Sequence, residues 1–249
     1  MHAPTFSVIT CTRNSAATIR DAIASVNRQS FKDYEHIFVD GCSTDGTLEI
    51  IREMSPDSKI VENITGGISR AMNTGVEHAS GNIVVHLHSD DFFSDTETLE
   101  LVSRVFDRDT VRWAVGNFEY LLDNGRRLPG SDVAPLTMAR LGLGNYIPHH
   151  STFISREFFN LSAGFDESLR YCMDYDLWLR LFALQDPVHI DKSLAVFRVH
   201  SGSISSAKRR ATLTEELCVR LKHPNIAPVT LPRYLYRYVK RWLINSYVS

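Results

Sequence analysis

Across its first hundred residues the chain alternates apolar, β-rich runs with stretches of helical periodicity, and this alternation limits the fold more than any other feature. Residues 6–12, 34–40, 59–62 and 83–88 read as strands. Between them, Asn14 and Ser15 stand where they can cap a helix whose apolar face is Ile19, Ala22, Ile23 and Val26. Further helices are predicted over 47–54 and 68–79. Strand and helix in strict alternation imply parallel strands joined by right-handed crossovers. The strands are continuously apolar, as expected where both faces of a sheet are covered. The predicted class is α/β, with a mostly parallel central sheet flanked by helices.

After about residue 110 the pattern changes. Residues 113–122 read as a longer strand, 135–143, 153–159 and 174–184 as helices, and 188–199 as one or two strands. The helix over 174–184 turns Leu177, Trp178, Leu181 and Phe182 inward. The change marks a shift of role and not a clear domain break.

Composition excludes several classes. With 249 residues, 43% hydrophobic and a net charge of -2, the chain is ordinary for a globular protein and gives no case for nucleic-acid binding. Cys11, Cys42, Cys172 and Cys218 are far apart, which argues against a zinc ribbon or a disulfide scaffold and fits a reducing cytosol. No basic and apolar leader opens the chain, and no apolar run is long enough to span a bilayer.

The chemistry concentrates where the fourth strand ends. Ile83 to His86 have strand character, and His88-Ser89-Asp90-Asp91 follows as the strand opens into a loop. Ligand sites of open α/β sheets lie at the carboxyl ends of strands. Two adjacent carboxylates there suit Mg²⁺ or Mn²⁺ beside a phosphorylated ligand. The plainer reading is an acidic turn with Asp90 capping the next helix. His86 and His88 point to one face of the strand. Without an HxxxH pattern or a cysteine partner they do not make a zinc site. His88 reads as a polar wall of the site and His86 as a core histidine. Of the adjacent His149 and His150, at most one is expected to be functional.

Asp40 ends the second strand before Gly-Cys-Ser-Thr-Asp-Gly-Thr, and a carboxylate there can accept hydrogen bonds from a base or ribose. Gly41 would let a ligand approach the backbone closely. The following Asp45-Gly46 reads as turn chemistry, with Ser43 or Thr44 capping. Neither GxGxxG nor GxxxxGK[ST] is present. Asp174 and Asp176 begin a strongly apolar helix. They stabilise its dipole, and a carboxylate at such a position beside a cleft can also act as a general base. Arg198 or His200 could reach a diphosphate from the loop after the last strand.

Taken in order, these segments resemble the inverting GT-A glycosyltransferases of the bacterial family 2 type. The matching pieces are Phe6 to Asn14, Val39 to Thr47, Gly67 to Gly75, Ala79 to Asp91, His149, Gly164 to Ser168, Asp174 to Arg180 and Phe197 to Ser203. The resemblance covers about residues 5–205. It implies a GT-A, Rossmann-like domain over 1–205, with a nucleotide-sugar-binding half (1–110) and an acceptor-binding half (111–205). A helical, amphipathic extension over 206–249 follows. It further implies a UDP-sugar donor, Mn²⁺ or Mg²⁺, and a glycan or lipid-linked glycan acceptor.

By this resemblance Thr10, Cys11, Thr12 and Asp40 hold the uridine, and Arg70, Asn73, His88, Ser89, Asp90 and His200 complete the donor site. Asp90 and Asp91 are the metal ligands, His149 faces the acceptor, and Asp174 is the catalytic base. The chain departs from the family at His88, which replaces the leading acid of its DxD motif. It departs again at Met173, where Glu often precedes the base, at Thr65 and at Arg70. These departures spare the metal ligand and the base, and bear on which sugar is carried.

The implied activity is inverting sugar transfer in cell-surface polysaccharide biosynthesis. A nucleotidyltransferase and a non-catalytic nucleotide-sugar-binding partner subunit are the alternatives. Near the C-terminus, Leu231, Tyr234, Leu235, Tyr238, Val239 and Trp242 fall on one helical face among Arg233, Arg237, Lys240 and Arg241. Such a basic aromatic stripe reads as peripheral membrane contact through 231–248, on the cytoplasmic face, or as packing on protein, with room for a homo-oligomer.

Overall fold

The computed structural model describes residues 3–199 and 209–223, together with 232, 235, 236 and 239. Four parallel strands form its N-terminal half: β1 (Phe6–Thr12), β2 (Tyr34–Asp40), β3 (Lys59–Val61) and β4 (Ile83–His86), in the spatial order β3-β2-β1-β4. Helices α1 (Ile19–Asn27), α2 (Thr47–Met54) and α3 (Ile68–Glu77) supply the crossovers. All seven residues of β1 are buried, Ser7, Thr10 and Thr12 among them, as expected of a strand covered on both faces.

Ile19, Ala22, Ile23 and Val26 of α1 are buried as their spacing predicts. Its cap differs from the expectation. Thr18 is the N-cap without a side-chain bond, and the Ser15 carbonyl accepts the Thr18 and Ile19 N–H groups instead. At α3, a Cβ on Gly75 would stand 2.3 Å from Ile9 Cγ2, so only glycine lets this helix lie so close to β1.

Beyond β4 the sheet turns mixed. β5 (Phe92–Phe93) and α4 (Thr98–Phe106) lead to β6 (Trp113–Leu121), β7 (Arg127–Pro129) and the short α5 (Met138–Leu141). One 3-10 turn, His149–Ser151, precedes β8 (Thr152–Ser155), α6 (Arg156–Leu161), α7 (Met173–Leu184), β9 (Val188–Arg198) and α8 (Arg209–Lys222). β8 lies between β4 and β6, antiparallel to both, while β9 runs parallel to β6.

The helix expected over 153–159 is therefore a strand followed by a helix. Thr152 to Ile154 are drawn into the gap between two strands, and Ser155 then caps α6 by accepting the Phe158 N–H at 3.3 Å. The helix expected over 135–143 shrinks to α5, capped by Thr137, whose side chain accepts from the Arg140 N–H.

Side chains pack on both faces of the sheet. One core gathers Ile9, Val39 and Met72 with Trp113, Tyr175 and Trp178. A second gathers Phe6, Val8, Val85, Leu99 and Phe153, and a smaller third gathers Ile19, Ile23, Phe38 and Ile51. The Trp113 and Trp178 rings stack with centroids 6.0 Å apart and fix α7 on the sheet. Helix α8 docks against α7 through side chains of both, so the first part of the sequence-predicted extension is packed on the domain it follows. Among the described residues no helix is long and apolar enough to cross a membrane.

Candidate active site

Three loops that leave β1, β2 and β4 are laced together at the carboxyl edge of the sheet. The Asn14 N–H donates to Ser43 Oγ at 2.9 Å, and Asn14 Oδ1 accepts from the Thr44 N–H at 2.9 Å. Asn14 takes a φ of 52° to do so. The Ser15 N–H donates to Thr47 Oγ1, and the Ser15 and Ser89 hydroxyls lie 2.8 Å apart. Gly46 is the N-cap of α2 and has no side chain to offer, so neither Ser43 nor Thr44 caps the helix, and the turn before it is made, as expected, by Asp45. Its Oδ1 accepts from the Thr47 N–H and hydroxyl, which holds its carboxyl below the usual range.

Within this edge Thr12 and Asp40 are register partners on β1 and β2. Asp40 Oδ2 accepts from the Ser43 N–H at 2.9 Å. Asp40 Oδ1 and Thr12 Oγ1 are buried and have no hydrogen-bond partner among the described residues. A buried polar atom left unmatched costs about 1–3 kcal/mol, and these two stand at register partners on adjacent strand ends.

The neighbouring positions behave differently. Thr10 Oγ1 is bonded to His36 Nε2 at 2.9 Å. Cys11 joins the core, where burial pushes its thiol up to about 12. Their side chains are thus turned into the protein. A Cβ on Gly41 would meet Arg13 Cβ at an ordinary 3.4 Å.

The acid turn separates its two carboxylates. Asp91 is 1% exposed, with Oδ1 accepting the Arg198 N–H at 3.2 Å and Oδ2 lying 3.7 Å from His150 Nδ1. Burial first, then the charge of Asp90, pushes the Asp91 carboxyl well above its ordinary range. Asp90 is only partly buried. Its backbone carbonyl accepts from Arg198 Nε, and Arg198 also pairs with Asp21, so β9 and α1 clamp the turn.

Among the described residues no group of three or more His, Cys, Asp or Glu side chains is placed to hold a metal. A partly exposed carboxylate at a strand end nevertheless fits a hard cation of the Mg²⁺ type. Such a cation often takes one or two protein carboxylates and completes its shell with phosphate and water oxygens.

His88 stacks on His149 with centroids 4.8 Å apart and an interplanar angle of 12°. Burial lowers the pKa of both rings, that of His149 strongly, so this wall is neutral. His86 is the core histidine expected, with Nε2 3.2 Å from the Met72 carbonyl. His149 also lies 6.3 Å from Trp178 of α7, centroid to centroid, and Asp174 stands one helical turn before that tryptophan.

Asp174 is held on two sides. Oδ2 accepts from Asn145 Nδ2 at 2.8 Å, and Oδ1 accepts from the Tyr175 N–H at 2.7 Å. Burial outweighs these bonds and raises its carboxyl to about 6. Asp176, by contrast, is engaged by His223 and Arg180, which more than offset its burial and lower its pKa.

Arg70 and Asn73 on α3 reach the turn of the second half. Arg70 pairs with Glu167 at 3.1 Å, and Asn73 bonds the Phe165 N–H and carbonyl and the Glu167 carboxylate. Both are thereby tied to residues 165–167. His200 lies outside the described residues. Sequence patterning had not singled out Asn145, because a lone Asn before Tyr-Ile-Pro looks like any loop residue. Ser15 was read as a helix cap, and its bond to Ser89 was not anticipated.

Comparison with known proteins adds the following. A family model described as "Glycosyl transferase family 2" matches residues 7–162. A hyaluronan synthase of Pasteurella multocida is 29% identical over 216 residues, covering 83% of this chain but only 21% of the synthase. Residues 1–349 of S. aureus TarS in complex with UDP-GlcNAc superpose with a TM-score of 0.72 at 22% identity, over 86% of this chain and 65% of that one. A mannosyltransferase from Pyrobaculum calidifontis in complex with GDP-Man and Mn²⁺ gives a TM-score of 0.68 at 18% identity, over 100% of this chain and 76% of that one.

Proposed function

The chain belongs to glycosyltransferase family 2 and has the GT-A fold, and from that premise we propose that it transfers a sugar from a nucleotide sugar to a hydroxyl acceptor with inversion. The expected donor is a UDP-sugar, and the expected acceptor is a glycan or lipid-linked glycan in cell-surface polysaccharide biosynthesis. The observation that carries this reading is the unmatched pair of buried polar atoms, Asp40 Oδ1 and Thr12 Oγ1, at adjacent strand ends. A carboxylate oxygen only accepts, whereas a hydroxyl both donates and accepts. Together they suit a uracil edge, on which an imide N–H lies beside a carbonyl.

The remaining steps follow from the chain's own groups. Asp90, partly exposed at the end of β4, is the candidate ligand for Mg²⁺ or Mn²⁺. When bound, such a cation neutralises charge on a leaving diphosphate. Asp91, buried and bonded to Arg198, shapes the turn that presents Asp90. The neutral rings of His88 and His149 wall the site without adding charge.

Asp174, held near a pKa of about 6, is ionised at neutral pH yet basic enough to take the proton from an acceptor hydroxyl as its oxygen attacks the anomeric carbon. Asn145 fixes the orientation of that carboxylate. One displacement of this kind inverts the anomeric centre and needs no protein nucleophile.

Membrane contact through 231–248 would suit a lipid-linked acceptor. Of that segment, the described Leu235, Tyr236 and Val239 are 39%, 70% and 51% exposed. The deciding experiment for the reaction is product analysis with a panel of UDP-sugars and acceptors. Free UDP with a new glycosidic bond is expected. Pyrophosphate release would point to nucleotidyl transfer, and tight UDP binding without turnover would point to a sensor or partner subunit.

A further inference from the structure

We propose that α8 is a positioning element for Asp174, with Glu215 as the residue through which it acts. The inference rests on Asp174 being the base. Helix α7 begins with Cys172 as N-cap, and that residue offers no side-chain cap. The carboxylate of Glu215, reaching across from α8, accepts instead from three consecutive backbone groups. These are the N–H of Arg170 at 2.8 Å, of Tyr171 at 2.5 Å and of Cys172 at 2.8 Å. An anion there also faces the positive end of the α7 dipole. Asp174 follows two residues later, so the segment that carries it is pinned from another element.

The other flank of Asp174 is reached from α8 as well. Arg220, 2% exposed, donates to the Gly142 carbonyl, pairs with Glu216 at 2.8 Å and lies 5.1 Å over the Tyr175 ring. Gly142 opens the segment that bears Asn145, the donor to Asp174 Oδ2. One helix therefore fixes both the start of α7 and the loop that orients its carboxylate. The groups facing Asp174 are the uncharged Asn145, Tyr175 and Cys172 beside it in the chain, and the charged Glu215 from α8. The charge of Glu215 adds to burial in raising the Asp174 carboxyl.

The experiment compares wild type and Glu215→Gln in the full chain. It reads UDP affinity by calorimetry, kcat against pH, and the Asp174 carboxyl titration by NMR. The amide keeps the size of the side chain but removes its charge. Expected is a fall in kcat of at least about tenfold, since small misplacement of a reacting group is costly. UDP affinity should stay within about twofold, because α8 touches the other half of the site. The Asp174 midpoint should move down, because a like charge has been removed. Wild-type kcat, or a parallel loss of UDP affinity, overturns the inference. Should Glu215→Gln fail to fold, Glu215→Asp keeps the charge at shorter reach. It should then lower kcat while the Asp174 midpoint stays at the wild-type value, and unchanged kcat overturns the inference. A wild-type chain that turns over no donor defeats the glycosyl-transfer reading instead. The NMR titration then still decides the link, and an unmoved midpoint in Glu215→Gln overturns it.

Discussion

The β3-β2-β1-β4 half and the β8-β6-β9 half of this molecule build their shares of the site by different means. In the first half Thr12, Asp40, Ser89 and Asp90 follow from the ends of their own strands, while Arg70 and Asn73 stand on α3. Thr12, Asp40 and Ser89 lie at or just past the ends of β1, β2 and β4, and short bonds such as Ser15 to Ser89 lock them together. In the second half Asp174 is held by groups distant in sequence, Asn145 directly and Glu215 through the 170–172 backbone. On the roles proposed above, ligand recognition would rest on strand-end geometry and proton transfer on tertiary assembly.

The contrast breaks most visibly at Asp174. Asp174→Asn should cut turnover by at least ~10²-fold while leaving UDP affinity unchanged. Parallel kinetics and calorimetry check this, and wild-type turnover would remove Asp174 from the role. The same variant has a stability signature. A carboxyl raised to about 6 in the folded chain, against ~4 unfolded, makes ionised Asp174 destabilising above that range. The asparagine variant should therefore melt above wild type at pH 8. That advantage should fade as the pH falls through about 6 towards ~4.

A second test strikes the opposite half. Thr12→Val and Asp40→Asn should each weaken UDP binding by about 1–3 kcal/mol, with kcat at saturating donor near wild type. Loss of kcat without loss of affinity would contradict the division. The third test is the pH profile of kcat. Its acid limb should fall below about 6, because protonated Asp174 cannot accept a proton, and a flat profile to pH 5 would assign the base elsewhere. The smallest effect concerns the C-terminal stripe. The full chain should float with anionic liposomes more than a chain truncated near Leu231, by about 1 kcal/mol per basic residue lost near the surface. Equal flotation would speak for packing on protein.

The difference between the halves also explains what the sequence disclosed. Strands β1 and β2 are legible to the residue because buried parallel strands are rich in apolar and β-branched residues, and Asp40 stands out as a charge at the end of one. Helix α7 is legible because Leu177, Trp178, Leu181 and Phe182 repeat at helical spacing. β8 was not, since Thr-Phe-Ile-Ser becomes a strand only because β4 and β6 leave a place between them. β5 and β7 are too short to carry a pattern of their own. Likewise Asp90 and Asp91 look equivalent in sequence. Their separation into a partly exposed and a buried carboxylate comes from Arg198, more than a hundred residues away. Glu215 reads as one more polar residue of a helix until its backbone partners are seen.

The central claim is a nucleotide-sugar site at the strand ends of the first half, aided by a cation at Asp90. It is tested most directly by thermal shift of the full chain with a panel of nucleotides and nucleotide sugars, each with and without Mn²⁺. Stabilisation by UDP compounds that requires the metal, and that disappears in Asp90→Ala, is the predicted result. No stabilisation by any nucleotide, with or without Mn²⁺, would contradict the account.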